Sequence, residues 1–162
     1  MNEEEAELTE LFRKLGARNP AGWAHSQVTE GIPQLARFLF LRQAWKAVVS
    51  EDDRTWIAEA LDTNPKGPGG AIVPSLTRLL RVGVSEEDLT DVVRVMQWRL
   101  LFRLCYLLGN PGDVEAEVDN VQWKLFQVDD NFEPICSIDG LYESVLETEP
   151  SGREMMPRDG AP

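Results

Sequence analysis

The segment from Ser85 to Leu108 constrains the fold most, because it reads as one long helix with two apolar faces. Ser85, followed three positions later by Asp88, makes a near capping box at its start. On a helical wheel, two sets of large apolar residues fall on nearly opposite sides. One side carries Leu89, Val92, Val93, Met96, Leu100, Leu104 and Leu107, and the other carries Val95, Trp98, Phe102 and Tyr106. Because a helix that is apolar on both sides is typical of a fold's interior, we predict a central buried helix at residues 86–108.

Two arginines, Arg99 and Arg103, lie in the narrow strip between those apolar faces. A guanidinium that is covered by apolar surface needs a carboxylate partner. We therefore expect at least one of the two to be largely covered and paired with an acid.

The periodicity of the sequence changes after the turn GNPGD at residues 109–113. VQWKLFQV, residues 121–128, alternates from side to side and is rich in aromatic and β-branched residues, which favours a strand. PICSI, residues 134–138, reads as a second strand with its proline at the first position, where a missing N–H is tolerated. We predict a β-hairpin over residues 121–138 with its turn at 129–132, followed by a short helix that Asp139 caps.

Elsewhere the apolar spacing predicts helices at residues 3–15, 33–49, 53–62 and 72–81. Residues 18–31 contain Asn, Pro and Gly and are predicted to form a loop. The predicted fold class is α+β and mainly helical, with about five helices around the central buried helix, one C-terminal β-hairpin and a short terminal helix. We expect one globular domain at residues 1–148, divided into a helical part (1–108) and an acidic hairpin part (109–148), with a mobile tail at 149–162.

The net charge of −12 is concentrated in one segment. Residues 109–149 contain 11 acids and a single base, Lys124, whereas residues 1–108 contain 15 acids and 13 bases. Such a field repels nucleic acid and anionic membranes and attracts basic proteins. We predict a partner-binding face that consists of Asp113, Glu115, Glu117, Asp119, Asp129, Asp130 and Glu133.

Several features favour a soluble, cytoplasmic protein. The first residues, MNEEEAELTELF, do not resemble a signal peptide, and arginines interrupt every apolar run that could span a bilayer. The two cysteines, Cys105 and Cys136, have no CxxC partner, which is typical of free thiols in a reducing compartment.

The stretch VDDNFEPICSIDG invites comparison with an EF-hand calcium loop, because Asp129, Asn131 and Glu133 occupy alternate positions. An EF-hand needs glycine at the sixth position and glutamate at the twelfth. Counted from Asp129, those positions hold Pro134 and Gly140. We predict a solvated hairpin turn, and neither a metal site nor a cofactor.

Catalytic chemistry would rest on His25, the only histidine of the chain. Serine or cysteine hydrolysis usually recruits a histidine base, so His25 is the fallback catalytic candidate, beside the open tryptophans Trp23 and Trp123. KGPGGA, residues 66–71, precedes a helix but matches no phosphate-binding fingerprint.

The leading hypothesis is a non-catalytic protein-interaction module whose acidic C-terminal face meets a basic partner. Immunity or inhibitor proteins and adaptors or chaperones act in this way, an analogy based on size and acidity. One alternative is a small enzyme or ligand-binding protein that uses His25 and nearby carboxylates in a pocket. Another is a structural domain whose acidic surface is merely solvated.

Overall fold

The computed structural model describes residues 2–110 and 121–158. In these ranges the chain forms six α-helices: α1 (Glu3–Lys14), α2 (Pro20–Glu30), α3 (Gln34–Ala44), α4 (Thr55–Leu61), α5 (Ile72–Arg81) and α6 (Glu86–Gly109). An antiparallel hairpin follows, with β1 at Phe126–Val128 and β2 at Pro134–Ser137. Two short 3-10 helices lie at Trp45–Ala47 and Leu141–Ser144 within the same ranges. The second follows Gly140 and has no side-chain cap, so the predicted cap by Asp139 is wrong. The predicted α+β, mainly helical fold with a C-terminal hairpin is confirmed.

The chain divides into two compact units, each with its own core. Unit 1 comprises residues 1–46 together with 101–162, and unit 2 comprises residues 47–100. Helix α6 contributes its residues up to Leu100 to unit 2 and the remainder to unit 1. A single domain at residues 1–148 with a mobile tail at 149–162 stays a prediction.

Residues 20–30 form a helix where the sequence analysis expected a loop, so that prediction is wrong. The Asn19 side chain caps α2 by accepting a hydrogen bond of 3.1 Å from the Gly22 N–H. Pro20 occupies the first turn, where its missing N–H costs nothing. Gly31 ends the helix with a φ of 70°, a left-handed conformation that glycine adopts without strain. The residues read as loop-formers are therefore the two ends of a helix.

The core of unit 1 is an aromatic cluster that joins its first three helices. Phe12 of α1, Trp23 of α2 and Phe38 of α3 are all buried. Their ring centroids lie 5.4–5.9 Å apart, and Phe38 meets both other rings edge to face. This geometry favours the edge-to-face attraction of aromatic quadrupoles, in addition to the burial of apolar surface.

The segment after the hairpin is fastened to these helices by side chains that reach its backbone carbonyls. The Trp45 indole Nε1 donates to the Val145 carbonyl at 2.9 Å. Arg18 donates to the carbonyls of Leu146 and Gly152 at 2.9 and 2.8 Å. Since carbonyls at the end of a helical turn need donors, these contacts supply hydrogen bonds that the turn itself does not make.

Unit 2 has a smaller core formed by Ile57, Leu76 and Leu89, from α4, α5 and α6. Polar contacts hold its edges: the Trp56 indole donates to the Thr90 hydroxyl at 3.0 Å, and Arg94 donates to the Val49 carbonyl at 2.7 Å. Ser85 caps the start of α6, because its hydroxyl accepts a hydrogen bond of 3.0 Å from the Asp88 N–H.

Helix α6 is not buried on both sides, which corrects the prediction of a central buried helix. Its buried residues are Leu89, Thr90, Arg94 and Cys105. Seven of its large apolar residues are instead exposed: Val92, Met96, Leu100, Phe102, Leu104, Tyr106 and Leu107. Apolar periodicity shows that a face avoids water, but it does not show whether the chain itself provides the cover.

The prediction that Arg99 or Arg103 is covered is also wrong, since both side chains are exposed. The buried arginine of α6 is Arg94, at 6% exposure. Its Nη1 donates a hydrogen bond to the Val49 carbonyl, so a neutral backbone acceptor contributes to the burial of this guanidinium.

Candidate partner-binding surface

The residues DDNFE at 129–133 form the predicted hairpin turn, and Asp129 organises it. The Asp129 N–H donates to the Glu133 carbonyl, and the Phe132 N–H donates to the Asp129 carbonyl, both at 3.0 Å. The Asp129 Oδ1 accepts the N–H groups of Asn131 and Glu133 at 2.8 and 2.9 Å. A short acidic side chain that folds back on the following backbone is the usual reason for aspartate at such a turn.

The hydrogen bonds from the Glu133 and Asn131 N–H groups lower the pKa of Asp129 below its ordinary value. They favour the ionised carboxylate, which accepts hydrogen bonds better than the protonated acid does. The ionised carboxylate of Asp129 therefore stabilises the turn through its hydrogen bonds. Asp130 and Glu133 lie beside it and are exposed.

Phe132 stands at the tip of the hairpin, with 84% of its surface exposed. Its φ of 65° lies in the left-handed region, which bulky residues rarely adopt. Glycine or asparagine would fit this backbone with less strain. A phenyl ring that is both exposed and conformationally unfavourable contributes nothing evident to the stability of the unit that carries it.

The hairpin carries further exposed apolar side chains along both strands. Phe126 and Val128 of β1 and Ile135 of β2 are all exposed. The pairing joins Phe126 with Ser137 and Gln127 with Cys136, and an irregularity then brings Val128 opposite Pro134. We call the exposed set Phe126, Val128, Asp130, Phe132, Glu133 and Ile135 the hairpin surface.

The base of the hairpin is held by polar contacts and one buried residue. Lys124 forms an ion pair of 3.1 Å with Asp139, whose carboxylate also accepts the Ser137 hydroxyl at 2.7 Å. Those hydrogen bonds, the Ser137 contact foremost, lower the pKa of Asp139. Ile138 is buried, and its N–H donates to the Leu125 carbonyl at 2.8 Å. The base is thus anchored while the tip stands free.

Of the seven acids predicted to form the binding face, the structure describes three. Asp129, Asp130 and Glu133 come together in one exposed turn. Asp113, Glu115, Glu117 and Asp119 lie outside the described residues. The convergence of the two groups therefore stays a prediction. The exposed apolar residues of the hairpin were read from the sequence only as strand formers, although their alternation already placed some of them on an outer face.

His25, the fallback catalytic candidate, is an exposed residue of α2. Its Nδ1 lies 3.0 Å from a carboxylate oxygen of Glu5. The neighbouring Ser26 donates to Glu30 and accepts from Gln34, so its hydroxyl is engaged elsewhere. Trp23 is buried in the aromatic cluster. A cavity of about 220 Å³ in unit 1, lined by Leu15, Phe38, Arg42 and Pro150 among others, includes neither His25 nor Trp23.

Metal and thiol chemistry find little support in the described ranges. Within residues 2–110 and 121–158, no three histidine, cysteine or acidic side chains are placed to hold a metal ion. Both cysteines are free thiols, and burial raises the pKa of Cys105 to about 11. A thiol that holds its proton so firmly is a poor nucleophile at neutral pH.

Comparison with known proteins found no matching family model, no matching curated protein and no matching solved structure. Among the helices that the structure describes, none combines the length and the apolarity that crossing a bilayer requires.

Proposed function

We propose that this chain is a non-catalytic protein-interaction module that binds a basic partner through the hairpin surface. The observation that carries the proposal is Phe132, an exposed aromatic ring at the tip of an anchored hairpin. Aromatic residues that enter a pocket of the partner supply much of the binding energy of protein interfaces. Residues with a strained backbone are found most often at functional sites, which supports a binding role for this exposed aromatic residue.

The charges beside Phe132 define the chemistry of the partner. Asp130 and Glu133 flank the ring, and Asp129 adds a charge that the turn holds ionised. A complementary surface presents lysines or arginines around an apolar pocket that receives the phenyl ring. Nucleic acids and anionic membranes are disfavoured as partners, because their phosphates would face these carboxylates.

The biological setting that fits this chemistry is that of an immunity or inhibitor protein, or of an adaptor or chaperone, acting in the cytoplasm. Two free cysteines agree with a reducing compartment. The charge of −12 suits recognition of a strongly basic protein.

The test compares Phe132→Gly with the wild type in affinity capture from the native host, followed by mass spectrometry. Glycine accepts the left-handed backbone, so the turn should persist while the aromatic anchor is lost. We expect a basic protein to be captured by the wild type and to bind Phe132→Gly at least about 30-fold more weakly, as for the loss of an interface hot spot. Val82→Ser is the matched control, because Val82 is 76% exposed but lies at the C-terminal end of α5, outside the hairpin surface.

Equal capture by the wild type and by Phe132→Gly would show that the hairpin is not the contact surface. Failure of the wild type to retain any basic protein would favour a structural domain whose acidic surface is merely solvated.

A further inference from the structure

The cavity of about 220 Å³ in unit 1 is lined by residues that all lie outside the hairpin surface. Its wall combines residues 15–18, which follow α1, with one side of α3 and residues 147–150. The apolar part of the wall consists of Leu15, Ala17, Phe38 and Pro150. The volume equals that of about seven water molecules in the liquid, at roughly 30 Å³ each. It therefore suits a ligand smaller than the drug-sized molecules that fill pockets of about 300–1,000 Å³.

Four charged side chains line the cavity, and two of them are bound by the wall itself. Arg18 donates to the carbonyls of Leu146 and Gly152. Glu149 is only 2% exposed, and its carboxylate accepts the N–H and the hydroxyl of Ser151 at 3.0 and 2.5 Å. These contacts hold residues 146–152 in place, and they engage both charged groups.

The other two charged side chains, Arg42 and Glu147, are exposed. Neither forms a hydrogen bond or an ion pair with another residue in the described part of the chain, and they do not pair with each other. One cation and one anion thus remain available beside an apolar wall. This combination matches a small molecule that carries a carboxylate and an ammonium group next to an apolar group.

We infer that this cavity binds a free α-amino acid with an apolar side chain of about the size of leucine. Such a molecule carries both charges at neutral pH. Arg42 binds the α-carboxylate through its guanidinium fork, and Glu147 binds the α-ammonium group. The apolar side chain packs against Leu15, Phe38 and Pro150. The site is independent of the hairpin surface and of its partner.

Titration of the ¹⁵N-labelled protein with leucine, followed by amide NMR, tests the site. A ligand this small is expected to bind with a dissociation constant of about 1 mM, so the titration extends to about 20 mM. We expect saturable shifts at the amides of Gly16, Ala17 and Thr148, which line the cavity.

Two charge-removing variants test the roles of the free side chains. Arg42→Gln and Glu147→Gln should each raise the dissociation constant for leucine at least about fivefold, because each removes one charged contact. Lys46→Gln and Glu7→Gln are the matched controls, since both residues are exposed and lie outside the cavity. Both controls should bind leucine as the wild type does.

Two analogues of leucine assign each charge to its partner. Isocaproate lacks the ammonium group of leucine, and isopentylamine lacks its carboxylate. Arg42→Gln should weaken the binding of isocaproate and leave that of isopentylamine unchanged, whereas Glu147→Gln should do the reverse. The proposal is overturned if leucine causes no saturable shift at the cavity amides, or if Arg42→Gln and Glu147→Gln bind leucine as tightly as the wild type. It is equally overturned if both analogues respond alike to the two substitutions.

Discussion

The guanidinium of Arg37 donates a hydrogen bond of 2.6 Å to the backbone carbonyl of Gly140, 103 positions further along the chain. The same Nη2 lies 3.1 Å from the Ser144 hydroxyl and 3.8 Å from the Glu143 carboxylate. Arg37 is only 5% exposed, and the loss of hydration on burial lowers its pKa. The buried guanidinium of Arg37, on α3, thus binds the segment that follows the hairpin.

Replacing Arg37 by alanine should lower the free energy of unfolding by about 2–3 kcal/mol. The change removes the donor to Gly140 and Ser144 and the packing of the buried side-chain stem. Urea titration followed by circular dichroism measures the effect. Arg42→Ala is the matched control, because Arg42 lies on the same helix but is exposed, and it should change stability by less than about 0.5 kcal/mol. Equal effects of the two variants would contradict this role for Arg37.

The hairpin turn should loosen in acid. Because the pKa of Asp129 is lowered in the folded turn, the stability that its carboxylate contributes is present above the ordinary aspartate pKa of about 3.9 and is lost as the pH falls through the lower, folded value. We expect amide hydrogen exchange at Asn131 and Glu133 to accelerate, relative to its intrinsic rate, as Asp129 becomes protonated. Asp129→Asn retains an acceptor oxygen and should abolish this pH dependence. An unchanged profile in Asp129→Asn would assign the effect to another group.

Neutralising the two outward acids, as Asp130→Asn with Glu133→Gln, should slow association with the captured partner roughly three- to tenfold and leave dissociation nearly unchanged. The remaining rate should depend less on salt, since charge attraction is screened over about 8 Å at physiological ionic strength. Stopped-flow or surface plasmon resonance at several salt concentrations gives both rates. Glu7→Gln with Asp62→Asn removes two exposed acids elsewhere and should alter the rates less. If the two double variants behave alike, net charge rather than the hairpin steers the encounter.

The two cysteines should differ in reactivity. Cys105 is 1% exposed and its pKa is raised to about 11 by burial, so a thiol reagent at neutral pH should modify it only when the protein unfolds. Cys136, on the hairpin, is partly exposed and should react in the native state. Mass spectrometry of Cys105→Ser and Cys136→Ser after timed labelling separates the two sites. Rapid native labelling of Cys136→Ser would show that the environment of Cys105 opens readily.

The raised pKa of Cys105 also makes stability depend on alkaline pH. The unfolded thiol ionises near its ordinary pKa, while the folded thiol holds its proton to about 11. The contribution of this thiol to stability is therefore complete below about pH 8 and declines as the pH rises toward the folded value. Cys105→Ser should lose this part of the decline in a urea titration repeated across that range.

The long helix and the turn of the hairpin could be predicted from the sequence because their determinants are local, but the first strand is Phe126–Val128 and not the predicted 121–128. The change of period after residue 109, the aspartate that folds back at position 129 and the cap at Ser85 each act within a few residues. Helix α2 could also have been found, since Asn19–Pro20 and Gly31 are ordinary start and stop residues. The same residues also favour a loop, and the helix between them lacks a strong apolar stripe that would indicate otherwise.

The exposure of α6 and the anchoring of Arg37 could not be predicted in this way. Whether Met96 is covered depends on which elements pack beside it, and apolar periodicity is the same for a core and for a contact surface. In the sequence Arg37 is recognisable only as a charge that interrupts an apolar run. Its acceptors at Gly140 and Ser144 lie too far along the chain for any local pattern to indicate them.

The hydrogen bond from the Trp45 indole to the Val145 carbonyl joins residues 100 positions apart, so it cannot form until late in protein synthesis. A ribosome that adds about 5–20 residues per second needs roughly 5–20 s between these two residues. Throughout that interval the indole of Trp45, 2% exposed in the finished protein, lacks its acceptor. The contiguous residues 47–100 emerge meanwhile and can close their own core of Ile57, Leu76 and Leu89. The contact between Trp45 and Val145 therefore forms only after translation has passed residue 145, later than the contacts within residues 47–100 can form.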